Sequence, residues 1–383
     1  MRRQLRFQTM LRRYLLRPFT KAPTFPTPLT SAQRYNFHTT PHADMRVLLT
    51  GGSGFIAAHV LDHLLERGHS VVTTVRSQQK ADKIKEAHPK YGKDKLDFAL
   101  VEDIAQEGAF DKAVVSEPPF EAVIHTASPF HFNVTDVQKE LLDPAVIGTT
   151  GILKSIKKSA PSVKRVVITS SFASIIDPQK GARPGHTYSE KDWNPITQQE
   201  AVENPAAGYR ASKTFAEKAA WDFVEKEKPN FTLSTMCPPL VLGPIVHYLN
   251  SLDALNTSNQ RIRDCMLGKW KDEIPATGIF IWVDVRDLAL SHVLAAEKAE
   301  AANKRFFITS GHFCNKRIAE VLAKKYPQFK DQPTEKTPGG GMPEEGIYDI
   351  DTSNVDTVLK GWKQVDFDQS ITDTVKSLQA VGG

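Results

Sequence analysis

Arg46-Val-Leu-Leu-Thr50 runs directly into Gly51-Gly-Ser-Gly54-Phe-Ile-Ala57 and then into Ala58-His-Val-Leu-Asp-His-Leu-Leu-Glu-Arg67. A β-branched and leucine-rich strand, a glycine turn and an amphipathic helix in that order form the setting that a dinucleotide pyrophosphate needs. Small residues let the backbone turn tightly and approach the phosphates, while the helix N-terminus aims its free amides and positive dipole end at them. The spacing is G-x-x-G-x-x-A, with Gly51, Gly54 and Ala57 in the special places and Gly52 and Ser53 inside the turn. That spacing is weak as a bare pattern, and its position makes it informative. Ile56, Val60, Leu61, Leu64 and Leu65 share one helix face while His59, Asp62, Glu66 and Arg67 fall elsewhere. Gly68 stops the helix, and the β-branched run Ser70–Arg76 completes a β-α-β unit.

Outward from this unit, the 383 residues alternate strand and helix, which predicts an α/β fold: a doubly wound parallel sheet with a smaller, partly discontinuous C-terminal lobe. Strands are expected at 46–50, 70–76, 96–103, 121–127, 165–171, 232–238, 280–285 and 305–309. Helices are expected near 54–67, 109–115, 137–159, 208–227, 287–298 and 315–325. The rhythm breaks at 240–279 and 311–383, which are richer in Pro, Gly and polar residues and would form the smaller lobe. The expected division is therefore a leader over 1–43, a dinucleotide-binding domain over 44–239, and a mainly substrate-binding lobe over 240–383. Within that lobe, the strands near 280–285 and 305–309 would return to the sheet region.

The net charge of +5 divides unevenly along the chain. Residues 1–43 hold eight basic residues and no acidic one, so the remainder carries −3 and gives no reason to expect nucleic-acid binding. The leader is Arg-rich, acid-free and rich in hydroxyls, the profile of a mitochondrial transit peptide, and it lacks the apolar core of a secretory signal. The alternative is a cytoplasmic enzyme with a disordered basic extension or a misplaced start, Met45 lying just before the first strand. No apolar run has the length of a membrane span. Cys237, Cys265 and Cys314 are too scattered for a metal or disulfide framework, and no metal site is expected.

An Asp or Glu at the end of the second strand would grip the adenosine ribose of NAD, whereas a cation there meets the 2′-phosphate of NADP. Here the strand ends in Val75-Arg76-Ser77 with Lys80 following and no acid, which favours NADPH. Asp103-Ile104 closes the third strand at a place suited to adenine.

Reduction of a carbonyl by a bound nicotinamide needs a proton donor and a group to steady the carbonyl oxygen. A Tyr with a Lys four residues on could supply the proton, the ammonium and the nicotinamide charge lowering the phenol pKa. The chain contains three such pairs. Tyr91/Lys95 lies in a polar connection, and Tyr326/Lys330 is broken by Pro327. Tyr209/Lys213 opens a helix with the apolar face Phe215, Ala216, Ala219, Ala220 and Phe223. This pair follows Arg165-Val-Val-Ile-Thr-Ser-Ser171, whose end would bring a hydroxyl to the ligand side. Ser171 is the natural third member; Ser170 is its rival, because strand alternation points the two apart.

Taken together, several stretches resemble an extended short-chain dehydrogenase/reductase, and more narrowly the fungal NADPH-dependent aldehyde/ketone (methylglyoxal) reductases, relatives of dihydroflavonol and cinnamoyl-CoA reductases. These are Gly51–Ala57, Arg76-Ser-Gln-Gln-Lys80, His125-Thr-Ala-Ser-Pro-Phe130, Gly151–Lys157, Val166–Ser171, Tyr209-Arg-Ala-Ser-Lys213 with Phe215–Trp221, and Val283-Asp-Val-Arg-Asp287. The resemblance implies a Ser171–Tyr209–Lys213 triad, with Lys213 also holding the nicotinamide ribose. It implies cofactor contacts at Gly51, Gly52, Ser53, Gly54, Phe55, Ile56, Arg76, Lys80, Asp103, Ile104, Val241 and Ser258, and it places Phe130 in the substrate pocket. Phe172 stands where the yeast-type members often carry Tyr, and Cys237-Pro-Pro-Leu240 replaces the more usual Asn-Pro-x-x. With Phe132, Phe130, Phe172 and Leu240 would border an apolar pocket.

The expected function is NADPH-dependent reduction of a small or medium aldehyde or ketone, Tyr209 giving the proton, by a monomer or homodimer. An epimerase, a dehydratase or a 3β-hydroxysteroid dehydrogenase is the alternative within enzymes. A non-catalytic NADP(H)-sensing protein is the alternative outside them; it would have no need of Tyr209 and Lys213.

Overall fold

Val47 and Leu49 point to one face of the first strand and Leu48 to the other, and all three are fully buried, so helices must cover both sides of the sheet. A computed structural model describes residues 44–128, 134–249, 251–359 and 363–382. Its strands are β1 Arg46–Thr50, β2 Ser70–Val75, β3 Leu96–Leu100, β4 Ala122–His125, β5 Arg165–Thr169, β6 Thr187–Tyr188, β7 Thr232–Met236, β8 Leu240–Leu242, β9 Trp282–Asp284, β10 Lys304–Phe306 and β11 Asp349–Ile350. The helices are α1 Phe55–Glu66, α2 Gln78–Ala87, α3 Asp143–Ser159, α4 Gln198–Ala201, α5 Pro205–Glu227, α6 Thr257–Met266, α7 Val285–Glu297, α8 Asn315–Lys325, α9 Ser353–Val358 and α10 Phe367–Gly382.

Seven strands form one parallel sheet in the order β10-β7-β5-β4-β1-β2-β3. The chain moves outward from β1 through β2 to β3, then returns to the other side of β1 at β4. Its topological switch point therefore lies between β1 and β4, the place where such sheets bind ligands beyond their carboxyl ends. Helices α1 and α7 cover one face through Val60, Leu61, Leu64, Leu288 and Val293; α3 and α5 cover the other through Ile152, Leu153, Ile156, Ala220 and Phe223. Burial of apolar area at roughly 25 cal/mol per Å² makes these two interfaces the main source of cohesion.

A third apolar cluster runs from Leu242 and Ile262 through Trp282 and Phe313 to Ile371 and Leu378, drawing on both stretches expected to form the smaller lobe. Helices α6, α8 and α10 pack there against one another. Three expectations need correction. Residues 109–115 form turns, not a helix, with Phe110, Ala113 and Val114 tucked into the core. Helix α2 was not anticipated, because Ala81 is its one buried residue among the ten. The strand at 280–285 does not return to the large sheet: β9 pairs in parallel with β8 in a separate two-stranded sheet. The 305–309 strand does join the large sheet, as edge strand β10 beside β7.

Candidate active site

The turn 51–54 leaves β1 at the switch point. Gly51 has φ +76°, and a Cβ there would meet the Ala127 backbone at 3.0 Å. At Gly52 a Cβ would overlap the Thr73 hydroxyl, so the turn presses against β2 with no room for a side chain. Its amides are anchored from below: Gly51 N donates to Thr74 Oγ1 at 3.0 Å and Gly52 N to the Thr74 carbonyl at 2.9 Å. Gly54 caps α1 without a side-chain hydrogen bond, and the first turn of α1 carries no acid. An uncapped, acid-free N-terminus behind a tightly pinned glycine turn fits a pyrophosphate. Ser53, Phe55 and Ile56, the other turn positions assigned to the cofactor, are half-buried around it.

Arg76 follows β2 and is exposed, and Lys80 is exposed in the first turn of α2, whose N-cap Ser77 is likewise without a side-chain hydrogen bond. Asp103 is held below the usual carboxylate range by hydrogen bonds from Gln106 and the Ala105 amide, with the Arg76 guanidinium adding a smaller pull. Arg76 and Asp103 thus converge over the ends of β2 and β3, while Ile104 packs inward against Gly148. On the other side, Val241 of β8 is buried, and the Asn256 side-chain amide reaches its carbonyl at 3.5 Å, tying it to the segment that carries Ser258.

The chemical end is assembled from β4, β5 and α5. Asn204 caps α5, accepting from Ala207 N at 2.9 Å, and Pro205 occupies its first turn, so the helix is firmly started one turn before Tyr209. Ser171 follows the end of β5; its hydroxyl oxygen accepts from Ala173 N at 3.1 Å, which leaves its proton available. The Ser171 hydroxyl also acts on the Tyr209 phenol, favouring its ionised form. Ser170 turns the other way, donating to the buried Glu217 at 2.6 Å. Strand alternation therefore assigns Ser171 to the site and Ser170 to the interior.

Burial pushes the Tyr209 phenol above its ordinary pKa, with the Ser171 hydroxyl working against that rise. Among the protein's own groups, desolvation therefore dominates; the expected lowering of the phenol draws also on the nicotinamide charge of a bound cofactor. Lys213 Nζ lies 5.9 Å from the centre of the Tyr209 ring and donates to Ser128 Oγ at 2.6 Å. Burial also brings the Lys213 ammonium down to about 8. Beneath it, burial and the Lys213 charge hold His125 down to about 3, a neutral ring bonded to Thr50 Oγ1 at 2.8 Å. Ser128 had no role in the sequence reading; its place three residues beyond β4 at the switch point is the signal that marks it.

One pocket assignment changes. Phe172 is 2% exposed, stacks on Phe307 at 5.0 Å and meets Tyr188 edge-on, so it belongs to a core cluster with Tyr348 and Ile281 instead of a pocket wall. Leu240 is half-buried and packs on the smaller lobe's core. Phe130 and Phe132 lie outside the described residues. The stretch Val283–Asp287 is architectural: Asp284 caps α7 and pairs with Arg286, which also reaches Asp373 at 2.7 Å, while Asp287 accepts from Val365 N.

Comparison with known proteins shows the family. The pattern of the NAD dependent epimerase/dehydratase family matches residues 47–308. The chain belongs to that family. Among its relatives, the ketoreductase azaE of Aspergillus niger is 47% identical over 339 residues, covering 87% of this chain and 97% of the other. The Candida albicans Gre2 structure in complex with NADPH superposes with a TM-score of 0.79 at 37% identity, covering 88% of this chain and all of that one. The yeast methylglyoxal/isovaleraldehyde reductase Gre2, also complexed with NADPH, gives a TM-score of 0.78 at 34% identity over 87% of this chain and 98% of its own. Within the epimerase/dehydratase family, these relatives are reductases. No helix among the described residues is long and apolar enough to cross a membrane, and those residues hold no cluster of His, Cys, Asp and Glu suited to a metal.

Proposed function

We propose that this protein is an NADPH-dependent carbonyl reductase acting on small or medium aldehydes and ketones. The observation that carries the reading is the meeting of Ser171, Tyr209 and Lys213 at the strand ends beside the glycine turn. The turn 51–56 would hold the pyrophosphate, Arg76 and Lys80 the 2′-phosphate, and Asp103, Ile104, Val241 and Ser258 the remainder. When bound, NADPH supplies the hydride that adds to the carbonyl carbon.

Tyr209 delivers the proton that the carbonyl oxygen needs as its charge develops. A phenol kept neutral by burial is loaded for that task at neutral pH. The Ser171 hydroxyl proton steadies the same oxygen, in a partly dry site where one hydrogen bond counts for more than in water. Lys213, held by Ser128, places a cation near the phenol as its proton departs. One hydride and one proton thus convert the carbonyl to an alcohol.

An epimerase or dehydratase would recycle its dinucleotide, and both NADPH-complexed relatives above favour net reduction instead. The test is stoichiometric loss of NADPH absorbance with an aldehyde and none with a nucleotide sugar; no loss with any aldehyde, together with conversion of a nucleotide sugar at constant cofactor absorbance, would replace this reading with the epimerase one. We also infer that residues 1–43 direct the enzyme to mitochondria, supported by eight basic residues without an acid. A fluorescent protein fused behind these residues should then colocalise with mitochondria, and a cytosolic signal would refute it.

A further inference from the structure

Glu217 lies one helical turn beyond Lys213 on α5, between the small buried residues Ala216 and Ala220. Its side chain is 1% exposed. Oε1 accepts from Thr235 Oγ1 and Arg305 Nε, each at 2.7 Å, and from Trp221 Nε1 at 3.3 Å. Oε2 accepts from Ser170 and Ser174, each at 2.6 Å, and from Arg305 Nη2 at 3.3 Å. Arg305 is satisfied in turn: it donates to the carbonyls of Glu190 and Asp192 and lies 3.6 Å over the Trp193 ring. Burial alone would raise the Glu217 carboxyl, and the Arg305 guanidinium with these hydrogen bonds holds it below the ordinary range.

A buried ion pair contributes little net stability once its desolvation is counted, so stability alone is a weak reason for this one. The destinations of its hydrogen bonds are more telling. Ser170 immediately precedes Ser171, and Ser174 Oγ lies both on Glu217 and 2.7 Å from the Ser171 carbonyl oxygen. The carboxylate thereby fastens the turn that carries Ser171 to the helix that carries Tyr209 and Lys213. We propose that Glu217, charge-balanced by Arg305, is a positioning residue that sets the Ser171 hydroxyl against Tyr209. This rests on the carbonyl reductase reading.

The test compares the wild-type protein with Ser174→Ala, Glu217→Gln and the double variant Glu217→Gln/Arg305→Met. The first removes the bridge without touching a charge, and the last removes both charges together, so the proposal stays testable even if Glu217→Gln alone fails to fold. NADPH affinity, read by fluorescence, should stay within about twofold in the folded variants, while kcat falls roughly ten- to a hundredfold, as misplacement of a reacting group produces. The pH profile separates positioning from mere support. Ser171 favours the ionised phenol, so displacing it raises the Tyr209 pKa and moves the alkaline limb of kcat to higher pH. A double variant as stable as wild type but still slow would agree with the proposal. Variants with wild-type kcat, or slowed variants with an unmoved alkaline limb, would overturn it. A wild-type protein that consumes no NADPH with any aldehyde would take down the reductase reading and this proposal with it.

Discussion

Replacing Gly52 by Ala tests whether the glycine turn is shaped by its contact with β2. The added methyl would overlap Thr73 Oγ1 and lie 2.9 Å from Thr73 Cγ2 and 3.0 Å from Thr73 Cβ. Thr73 cannot swing aside freely, because it is fully buried and its hydroxyl donates to the Leu49 carbonyl at 3.0 Å. Overpacking of this kind costs about 1–3 kcal/mol. If the turn stays in place, that strain appears as lost stability. If it relaxes away from β2, its amides leave the phosphate position, and NADPH binding weakens by about 5- to 150-fold for the same energy. Urea unfolding and an NADPH fluorescence titration together capture both routes, so the two losses should sum to that range. Thr73→Ala removes the two groups nearest the new methyl, at a cost of about 1 kcal/mol for its own hydrogen bond. The double variant should therefore be better than the two single losses predict, by about 1 kcal/mol in a double-mutant cycle. An additive cycle, or a Gly52→Ala protein with wild-type stability and affinity, would refute the steric argument.

Tyr209→Phe should keep NADPH affinity within about twofold while lowering kcat by roughly 100-fold or more, the scale of a lost general acid; steady-state kinetics with an aldehyde would check this. Arg76→Ala should weaken NADPH by roughly 10- to 100-fold with little change for NADH, the worth of one charge-assisted hydrogen bond, and an unchanged preference would end the phosphate-clamp assignment. Stability should fall as pH falls from about 6.5 toward 4. Burial, aided by His59 at His63 and by Lys213 at His125, depresses His63 to about 4 and His125 to about 3, and burial depresses His292 to about 4. Over that window the unfolded chain binds more protons than the folded one, each histidine adding a slope of up to about 1.4 kcal/mol per pH unit. His63→Gln should flatten the pH dependence seen in urea unfolding, and an unchanged slope would contradict it.

Much of the fold was legible because its central unit is local: the strand, turn and helix from Arg46 to Arg67 declare themselves within 22 residues. What stayed hidden depends on partners far away in the chain. Periodicity marks 280–285 as extended but cannot say that Val283 pairs with Val241 and not with the large sheet. Helix α2 is polar around almost its whole circumference, so it carries no apolar stripe to read. The Phe110 turn has three apolar residues close together and mimics a helix face. At the site, the Tyr-Lys spacing and the strand-end hydroxyls were readable, but choosing Ser171 over Ser170 required knowing what lies behind the strand. Phe172 was misplaced for a similar reason, since only Phe307 and Tyr188, distant in sequence, reveal that its neighbourhood is core. Glu217 passed unnoticed although it left a trace: an acid between Ala216 and Ala220 on a helix face otherwise apolar needs a buried cation to meet it.

That cation arrives late. Tyr209, Lys213 and Ser171 all precede residue 214, yet Arg305 lies on β10, the last strand added to the edge of the large sheet. During synthesis, every reacting side chain would be in hand some ninety residues before the charge that makes Glu217 tolerable beneath them. A chain cut short before Lys304 would therefore contain all three proposed catalytic residues and still leave Glu217 without its buried cation. On the proposed role of Glu217, completion of the sheet edge and competence of the site are the same event.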